Sequence, residues 1–320
     1  MPPTALVTGV AGQDGIYLSR LLLEHGTAVV GTVLPGSGAA LQMAPYLEGV
    51  EVIEHDIRDT AGLGAILREH RPTEVYNLAG FTSVGASWGS PELVAETNGE
   101  AVRRMLDLLV VEGPETRFFQ ASSAEGLGSA ANSPYARAKT AAQEHVRAAR
   151  EEHGLFACSG VMFNHESPVR GHQFVTRKIT RAAAEIRLGR GEPVHLGNLA
   201  VARDWGHARD YVEAVRLMLQ QPSPNDVMIA TGVAHTLREL VEAAFTAAGV
   251  GDAWGHVVQD PALVRPADAE LIVGDPRAAA ETLGWTARTT FAELVDEMVR
   301  VDLKRVETGV EEAVSYLNLP

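Results

Sequence analysis

A single cysteine, Cys158, stands in 320 residues, which excludes a disulfide framework and a cysteine-built metal site. Positive charge is scarce. Against 41 Asp and Glu there are 27 Lys and Arg, a formal charge of −14. That balance lacks the basic footprint of a nucleic-acid binder and disfavours anionic membrane surfaces. Apolar runs such as Thr27 to Leu34 are far too short to span a bilayer, so no membrane partner is expected. The opening Met1-Pro-Pro-Thr has no basic region, so no secretory signal and a cytoplasmic location are expected. Lysine is the rarest charge: only Lys139, Lys178 and Lys304 occur, and the other basic residues are arginine. Where lysine persists in so arginine-rich a chain, arginine is not expected to substitute for it.

What is present is a 46% hydrophobic chain of a length that suggests roughly two domains. Its first half alternates short β-branched runs with helical patterns. Strands are expected at Thr4 to Gly9, Ala28 to Leu34, Val50 to Ile53, Glu74 to Leu78, Arg117 to Ala121 and Phe156 to Phe163. Helical spacing lies between them, as at Ile16 to His25, Leu63 to Glu69 and Ala101 to Val111. Such alternation predicts an α/β fold, a Rossmann-type doubly wound parallel sheet, followed by a smaller C-terminal α/β substrate domain. The division is expected at 1–164 and 165–320, with a return of the chain to the first domain around 204–232. In the second part, helices are expected over Phe174 to Leu188, Thr236 to Ala248 and Phe291 to Lys304.

The first strand runs into Thr8-Gly-Val-Ala-Gly-Gln-Asp-Gly, placing Gly9, Gly12 and Gly15 at GxxGxxG spacing before a helix. Glycines there permit a tight turn and close approach of backbone to a pyrophosphate, which the helix N-terminus attracts. A dinucleotide, NAD or NADP, is therefore expected. The end of the second strand, Val33-Leu-Pro-Gly-Ser-Gly, has neither the acid that favours NAD nor the arginine that favours NADP. The lack of Lys or Arg from Gly26 to Ala44 tilts the expectation slightly to NAD. Asp56, after the third strand, is a candidate for the adenine amino group.

Ser133-Pro-Tyr-Ala-Arg-Ala-Lys opens a helix with Ser133 as N-cap and Pro134 as first helical residue. Tyr135 and Lys139, four apart, share a face. With six tyrosines and three lysines, about 0.06 such pairs are expected by chance. A tyrosine that takes a proton near neutral pH needs about 4 kcal/mol of phenolate stabilisation, which a neighbouring ammonium helps to supply. The fifth strand ends in Gln120-Ala-Ser-Ser-Ala-Glu125, at the edge where ligands of such sheets bind. Ser123 can hydrogen-bond a substrate hydroxyl. Glu125 adds a carboxylate that a plain dehydrogenase does not need but that removal of a carbon-bound proton does. His165, Glu166 and His172 lack the His-Glu-x-x-His spacing, so no metal is expected. Cys158, Trp205 and Trp285 read as core.

These motifs resemble the extended short-chain dehydrogenase/reductases, and within them the GDP-mannose 4,6-dehydratase family. The resemblance runs almost end to end. It includes Val7 to Gly15, Glu74-Val-Tyr-Asn-Leu-Ala, Phe163-Asn-His-Glu-Ser-Pro, Phe174 to Arg181, Leu196-Gly-Asn-Leu, Arg203-Asp-Trp-Gly-His-Ala, Ile229-Ala-Thr-Gly, Arg265-Pro-Ala-Asp and Leu283-Gly-Trp. It implies that Ser123, Glu125 and Tyr135 are catalytic and that Lys139 serves both catalysis and the nicotinamide ribose. Cofactor contacts are implied for Gly9, Gly12, Gln13, Asp14, Gly15, Asp56, Ile57, Leu78, Ala79, His165 and Arg170. Substrate contacts are implied for Ser83, Asn164, Val175, Lys178, Leu196, Gly197, Arg203, Arg265 and Asp268. From Arg170 to Arg190 six basic residues meet one acid, Glu185, which reads as a pocket for a diphosphate.

The implied reaction is GDP-mannose to GDP-4-keto-6-deoxymannose and water, in a homodimer or homotetramer. Alternatives on this scaffold are a dehydratase of another GDP-sugar such as a GDP-heptose, a GDP-4-keto-6-deoxymannose reductase, and a non-catalytic GDP-sugar-binding protein. The chain departs from the family pattern in three places. Leu34-Pro35 stand where an arginine pair is usual, the loop between Glu125 and Tyr135 is short, and Leu127-Gly128 replace a tyrosine-glycine.

Overall fold

A computed structural model describes residues 2–126, 132–264 and 269–317. The first elements in chain order are β1 (Thr4–Thr8), α1 (Gln13–Glu24), β2 (Ala28–Val33), α2 (Ala39–Gln42), β3 (Val50–Glu54), α3 (Thr60–His70) and β4 (Glu74–Asn77). Then come α4 (Val84–Ser87), α5 (Pro91–Ala95), α6 (Ala101–Glu112), β5 (Arg117–Ser123), α7 (Pro134–His153) and β6 (Ala157–Met162). After these the chain forms β7 (Asn164–Glu166), α8 (Val175–Arg187), β8 (Val194–Leu196), β9 (Ala202–His207), α9 (Ala208–Gln220), β10 (Val227–Ile229) and β11 (Ala234–Thr236). It ends with α10 (Leu237–Ala247), β12 (Val257–Gln259), β13 (Leu271–Ile272), α11 (Arg277–Leu283) and α12 (Phe291–Thr308).

Chain contacts divide the molecule into two units. The first comprises Met1–Met162, Tyr211–Ile229 and Arg277–Trp285. Its seven strands lie in the order β10-β6-β5-β4-β1-β2-β3, and every neighbouring pair is parallel. The expected doubly wound sheet is thus present, and its order reverses between β1 and β4. Covered on both faces, the central strands are apolar runs rather than alternating ones. Leu6, Val30, Val75, Phe118 and Ala157 pack with Met105, Leu106, Leu109, Val146 and Leu155 in one core. Trp285 is 2% exposed and meets Tyr211 edge-on, with ring centroids 5.9 Å apart. Cys158 is fully buried in β6, where burial pushes its thiol pKa up.

The second unit comprises Phe163–Asp210, Ala230–Pro276 and Thr286–Pro320. In it β9 pairs in parallel with β7 and β13 and antiparallel with β11, while β8 pairs with β12. Helices α8, α10 and α12 surround Trp205, Leu240, Phe245, Leu294 and Met298. Capping boxes start two of them: Thr236 with Glu239, and Thr290 with Glu293.

A buried ion cluster ties α8 to α12. The Arg177 Nε donates to Asp302 at 2.8 and 3.0 Å, Arg305 Nη1 at 3.2 Å and Thr180 Oγ1 at 2.8 Å. Arg177, Asp302 and Arg305 are each at most 1% exposed. Removing the shared anion takes the buried carboxylate partner from Arg177 and leaves Arg305 with Glu312 alone. Asp302→Ala is therefore expected to destabilise the protein by about 3–5 kcal/mol in denaturant unfolding, and a loss under about 1 kcal/mol would contradict this account.

Candidate active site

The glycine turn leaves β1 at Thr8. Gly9 has φ +69°, and a Cβ there would lie 3.0 Å from the backbone N and Cα of Ala79. A Cβ on Gly15 would lie 2.5 Å from the Gly9 carbonyl and 2.6 Å from Val10 Cα. The Gly12 N–H closes the turn on the Gly9 carbonyl at 2.9 Å. The N-cap of α1, Gly12, offers no side-chain cap, and the positive end of the helix lies at this turn. This cradle fits the pyrophosphate of a dinucleotide. Gln13 and Asp14 form the first turn of α1, where the Gln13 amide donates to the Asp14 carboxylate at 3.2 Å.

A chain of buried polar groups joins this turn to the fifth strand. The N–H groups of Leu78 and Ala79 donate to Thr8 Oγ1, both at 3.1 Å, and that hydroxyl donates to Asn77 Oδ1 at 2.6 Å. Asn77 Nδ2 donates to Gln120 Oε1 at 2.8 Å, and Gln120 Nε2 to the Ala121 carbonyl at 2.9 Å. Lys139 Nζ donates to that same carbonyl at 2.8 Å. Burial lowers the Lys139 pKa to about 8, against the opposing charge of Asp14.

Helix α7 starts as its sequence predicts. Ser133 Oγ accepts from the Ala136 N–H at 3.0 Å, and Pro134 is the first helical residue. Tyr135 is 9% exposed, and the Lys139 ammonium lies 5.8 Å from its ring centroid. Gln143 Nε2 donates to Ser122 Oγ at 2.7 Å, a second fastening of α7 to the end of β5. Ser123 and Glu125 follow, both half-buried, with the Glu125 N–H on Ser123 Oγ at 3.2 Å. Ser123, Glu125, Tyr135 and Lys139 therefore lie on the end of one strand, the turn after it and the helix bound to both.

At the end of β3, Asp56 is held by Arg58. The Nε lies 3.0 and 3.1 Å from the two carboxylate oxygens and Nη2 lies 2.5 Å from one, and this pairing lowers the Asp56 pKa. Ile57 beside it is buried. Ser83 caps α4 by accepting from the Ala86 N–H at 3.2 Å. The loop carrying Ser83 is pinned by Asn98, which exchanges two hydrogen bonds with the backbone of Phe81, at 2.7 and 2.9 Å.

Within the second unit, Lys178 Nζ donates to the His195 carbonyl at 2.6 Å, on β8 and next to Leu196, which Gly197 follows. Val175 opens α8. Asn164 pairs with Trp205 on β9, two residues from Arg203. Arg203 is buried and donates to the carbonyls of Ala202 and Ala269 at 2.9 and 2.8 Å. His165 Nδ1 lies 2.7 Å from the Phe163 carbonyl. Arg170 pairs with Glu166 at 2.9 Å and stacks on Phe174 at 3.5 Å. Arg265 and Asp268 lie outside the described residues.

The stretch from Arg170 to Arg190 is less basic in space than in sequence. Arg177 is neutralised by Asp302, and Arg181 pairs with Glu185 and Glu311, at 2.7 and 3.0 Å. Two further networks carry no sequence-predicted role. One is the set Thr8, Asn77 and Gln120. The other is Asp204, fully buried, which accepts from the N–H and hydroxyl of Thr231 and from the N–H groups of Gly232 and Gly274. Both lie inside strings singled out in sequence, which was the available signal. Among the described residues no group of three His, Cys, Asp or Glu could hold a metal ion.

Known proteins resemble this chain in sequence and fold. The family model described as GDP-mannose 4,6 dehydratase matches residues 6–298. The GDP-mannose 4,6 dehydratase of Dictyostelium discoideum is 37% identical, covering 95% of this chain and 97% of that protein. The GDP-mannose 4,6-dehydratase of Vibrio cholerae is 39% identical, covering 95% of each. Among solved structures, the Thermus thermophilus UDP-glucose 4-epimerase complex with NAD superposes with a TM-score of 0.80 at 27% identity, covering 94% of this chain and 99% of that one.

The buried lysine makes a prediction of defined sign. Its pKa falls from 10.5 to about 8 on folding, so the unfolded chain binds the proton more tightly between those values. Stability therefore rises with pH across that window. Relative to Lys139→Met, the dinucleotide-free protein is expected to gain up to about 3 kcal/mol between about pH 7 and about pH 10. Denaturant midpoints at the two pH values measure this, and an unchanged gap would show that Lys139 is not desolvated.

Proposed function

The chain belongs to the GDP-mannose 4,6-dehydratase family, and from that premise we propose that it converts GDP-mannose to GDP-4-keto-6-deoxymannose and water using tightly held NAD or NADP. The observation that carries this reading is Glu125. It stands two residues beyond Ser123 at the end of β5, in one constellation with Tyr135 and Lys139.

The glycine turn, with Gln13 and Asp14, is suited to hold the dinucleotide pyrophosphate, and Asp56 and Ile57 are assigned to its adenine end. When bound, the nicotinamide supplies a hydride acceptor and donor whose oxidation state is unchanged over a full cycle. Tyr135 takes the proton of the sugar C4 hydroxyl, which Ser123 holds by a hydrogen bond. Lys139, nearby and mostly charged at neutral pH, stabilises the phenolate. The C4 ketone acidifies the proton on C5. Glu125 removes that proton and passes it to the C6 hydroxyl, which leaves as water, and Tyr135 then returns its proton to C5 as C6 is reduced. We assign His165 and Arg170 to the cofactor, and Ser83, Asn164, Val175, Lys178, Leu196, Gly197, Arg203, Arg265 and Asp268 to the GDP-sugar.

A homodimer or homotetramer in the cytoplasm belongs to the same proposal. It is supported by the apolar surface of Trp88 and Leu93, 52% and 41% exposed. No helix among the described residues is long and apolar enough to cross a membrane.

Incubation of the purified protein with GDP-mannose alone is expected to give a product lighter by one water, without net change at the reduced-nicotinamide absorbance band. Glu125→Gln and Tyr135→Phe are each expected to lower turnover by about 10²–10⁴-fold. Unchanged sugar mass with both dinucleotides supplied would overturn the assignment. Full activity in Glu125→Gln would remove the carboxylate from the mechanism.

A further inference from the structure

Dinucleotide-binding sheets read the 2′ position of the adenosine ribose at the exit of the second strand. There an acid accepts from a free hydroxyl, or an arginine pairs with a phosphate. The exit of β2, Leu34 to Gly38, contains neither. The structure brings an acid to it from the neighbouring strand. In the parallel pairing of β2 with β3, Val33 stands opposite Glu54. The Glu54 side chain crosses to the turn, where Oε1 accepts the Gly36 N–H at 3.4 Å. Gly36 and Gly38 both take positive φ, +67° and +70°, and a Cβ at either would meet nothing within 4 Å, so the turn is open around this carboxylate.

The cations that a 2′-phosphate would need are engaged or absent. No Lys or Arg occurs from Gly26 to Ile57. Arg58, the next in sequence, has its fork on both oxygens of Asp56. Arg20 donates to the Glu48 carbonyl at 3.3 Å. His55 is 7% exposed and offers no exposed cation.

We propose that Glu54 is the residue that selects NAD over NADP, its carboxylate accepting from the ribose 2′-hydroxyl and repelling a 2′-phosphate. The role rests on the dinucleotide reading above. It assigns to β3 a task that sequence logic places on β2. A dianionic phosphate beside a carboxylate with no free arginine is disfavoured by like-charge repulsion, whereas a hydroxyl loses nothing there.

The test is binding, not turnover. Dinucleotide released from the purified protein by denaturation is identified by mass. NAD and NADP are then titrated calorimetrically into stripped protein, as wild type and as Glu54→Gln, which keeps an acceptor for the Gly36 N–H but removes the charge. The expected result is NAD in the purified protein, a Kd for NADP at least about tenfold weaker than for NAD, and a gap closed by about tenfold in Glu54→Gln, chiefly through tighter NADP. Glu54 is exposed, so both proteins are expected to melt alike. Retained NADP, equal affinities in the wild type, or an unaltered ratio in Glu54→Gln would overturn the role of Glu54 and leave the dinucleotide reading intact. Binding of neither dinucleotide would overturn both.

Discussion

The run of buried hydrogen bonds from Thr8 through Asn77 and Gln120 to the Ala121 carbonyl and Lys139 is the constraint on which the first unit of the molecule depends. Polar groups in a sheet interior are costly unless every one is paired, so such a chain tolerates little slippage. Its links fall on β1, β4 and β5, three neighbours at the point where strand order reverses. The same Thr8 hydroxyl holds the N–H groups of Leu78 and Ala79, and the Ala79 backbone is what a side chain on Gly9 would strike. The glycine cradle and the seat of Lys139 are thus set by one network.

That network also explains why a lysine stands at 139 in a chain otherwise dominated by arginine. A guanidinium stays charged in any protein environment, whereas an ammonium yields its proton when buried. Burial against the Ala121 carbonyl brings Lys139 to about 8, so its charge is available yet responsive near neutral pH. The arginines take the opposite role. Arg177 and Arg305 are accommodated in the core of the second unit by Asp302 between them, with Glu312 also on Arg305. Lysine serves here where charge must be adjustable, arginine where it must be fixed.

Features carried by local pattern were legible in the sequence. The six strands of the first half stand within a few residues of their expected bounds, because each is a short run bounded by turn residues and separated by helical patterns. The glycine turn was legible because only glycine satisfies its dihedrals and contacts, and the start of α7 because Ser133 and Pro134 are specific to helix entry. What escaped were pairings between residues far apart in the chain. Asp302 lies 125 residues from Arg177, so a window from 170 to 190 showed six cations and one acid where space pairs three of those cations, Arg170, Arg177 and Arg181, with carboxylates. The acid at the exit of β2 escaped for the same reason: it belongs to β3 and arrives through strand register. The return of Arg277–Trp285 to the first unit had no local signal either, since a short helix does not announce which sheet it will cover.

Asp204 shows how a family-specific string can be architectural. The strings beginning at Arg203 and at Ile229 look like ligand motifs by their specificity, yet their centre is one buried carboxylate saturated by backbone. Asp204 accepts from the Thr231 N–H at 3.0 Å, its hydroxyl at 2.6 Å, the Gly232 N–H at 2.9 Å and the Gly274 N–H at 3.3 Å. The glycines are required by the same geometry. Gly232 has φ +84°, and a Cβ on Gly274 would sit 2.2 Å from the Ala230 side chain. A carboxylate with this many donors has little capacity left for a substrate, and replacing it with any neutral group would leave several N–H groups unpaired in the interior. The specificity of these strings therefore reflects a turn that nothing but an acid and two glycines can close, and it is Glu125, placed in a half-buried position at the end of a strand, that carries the chemical argument.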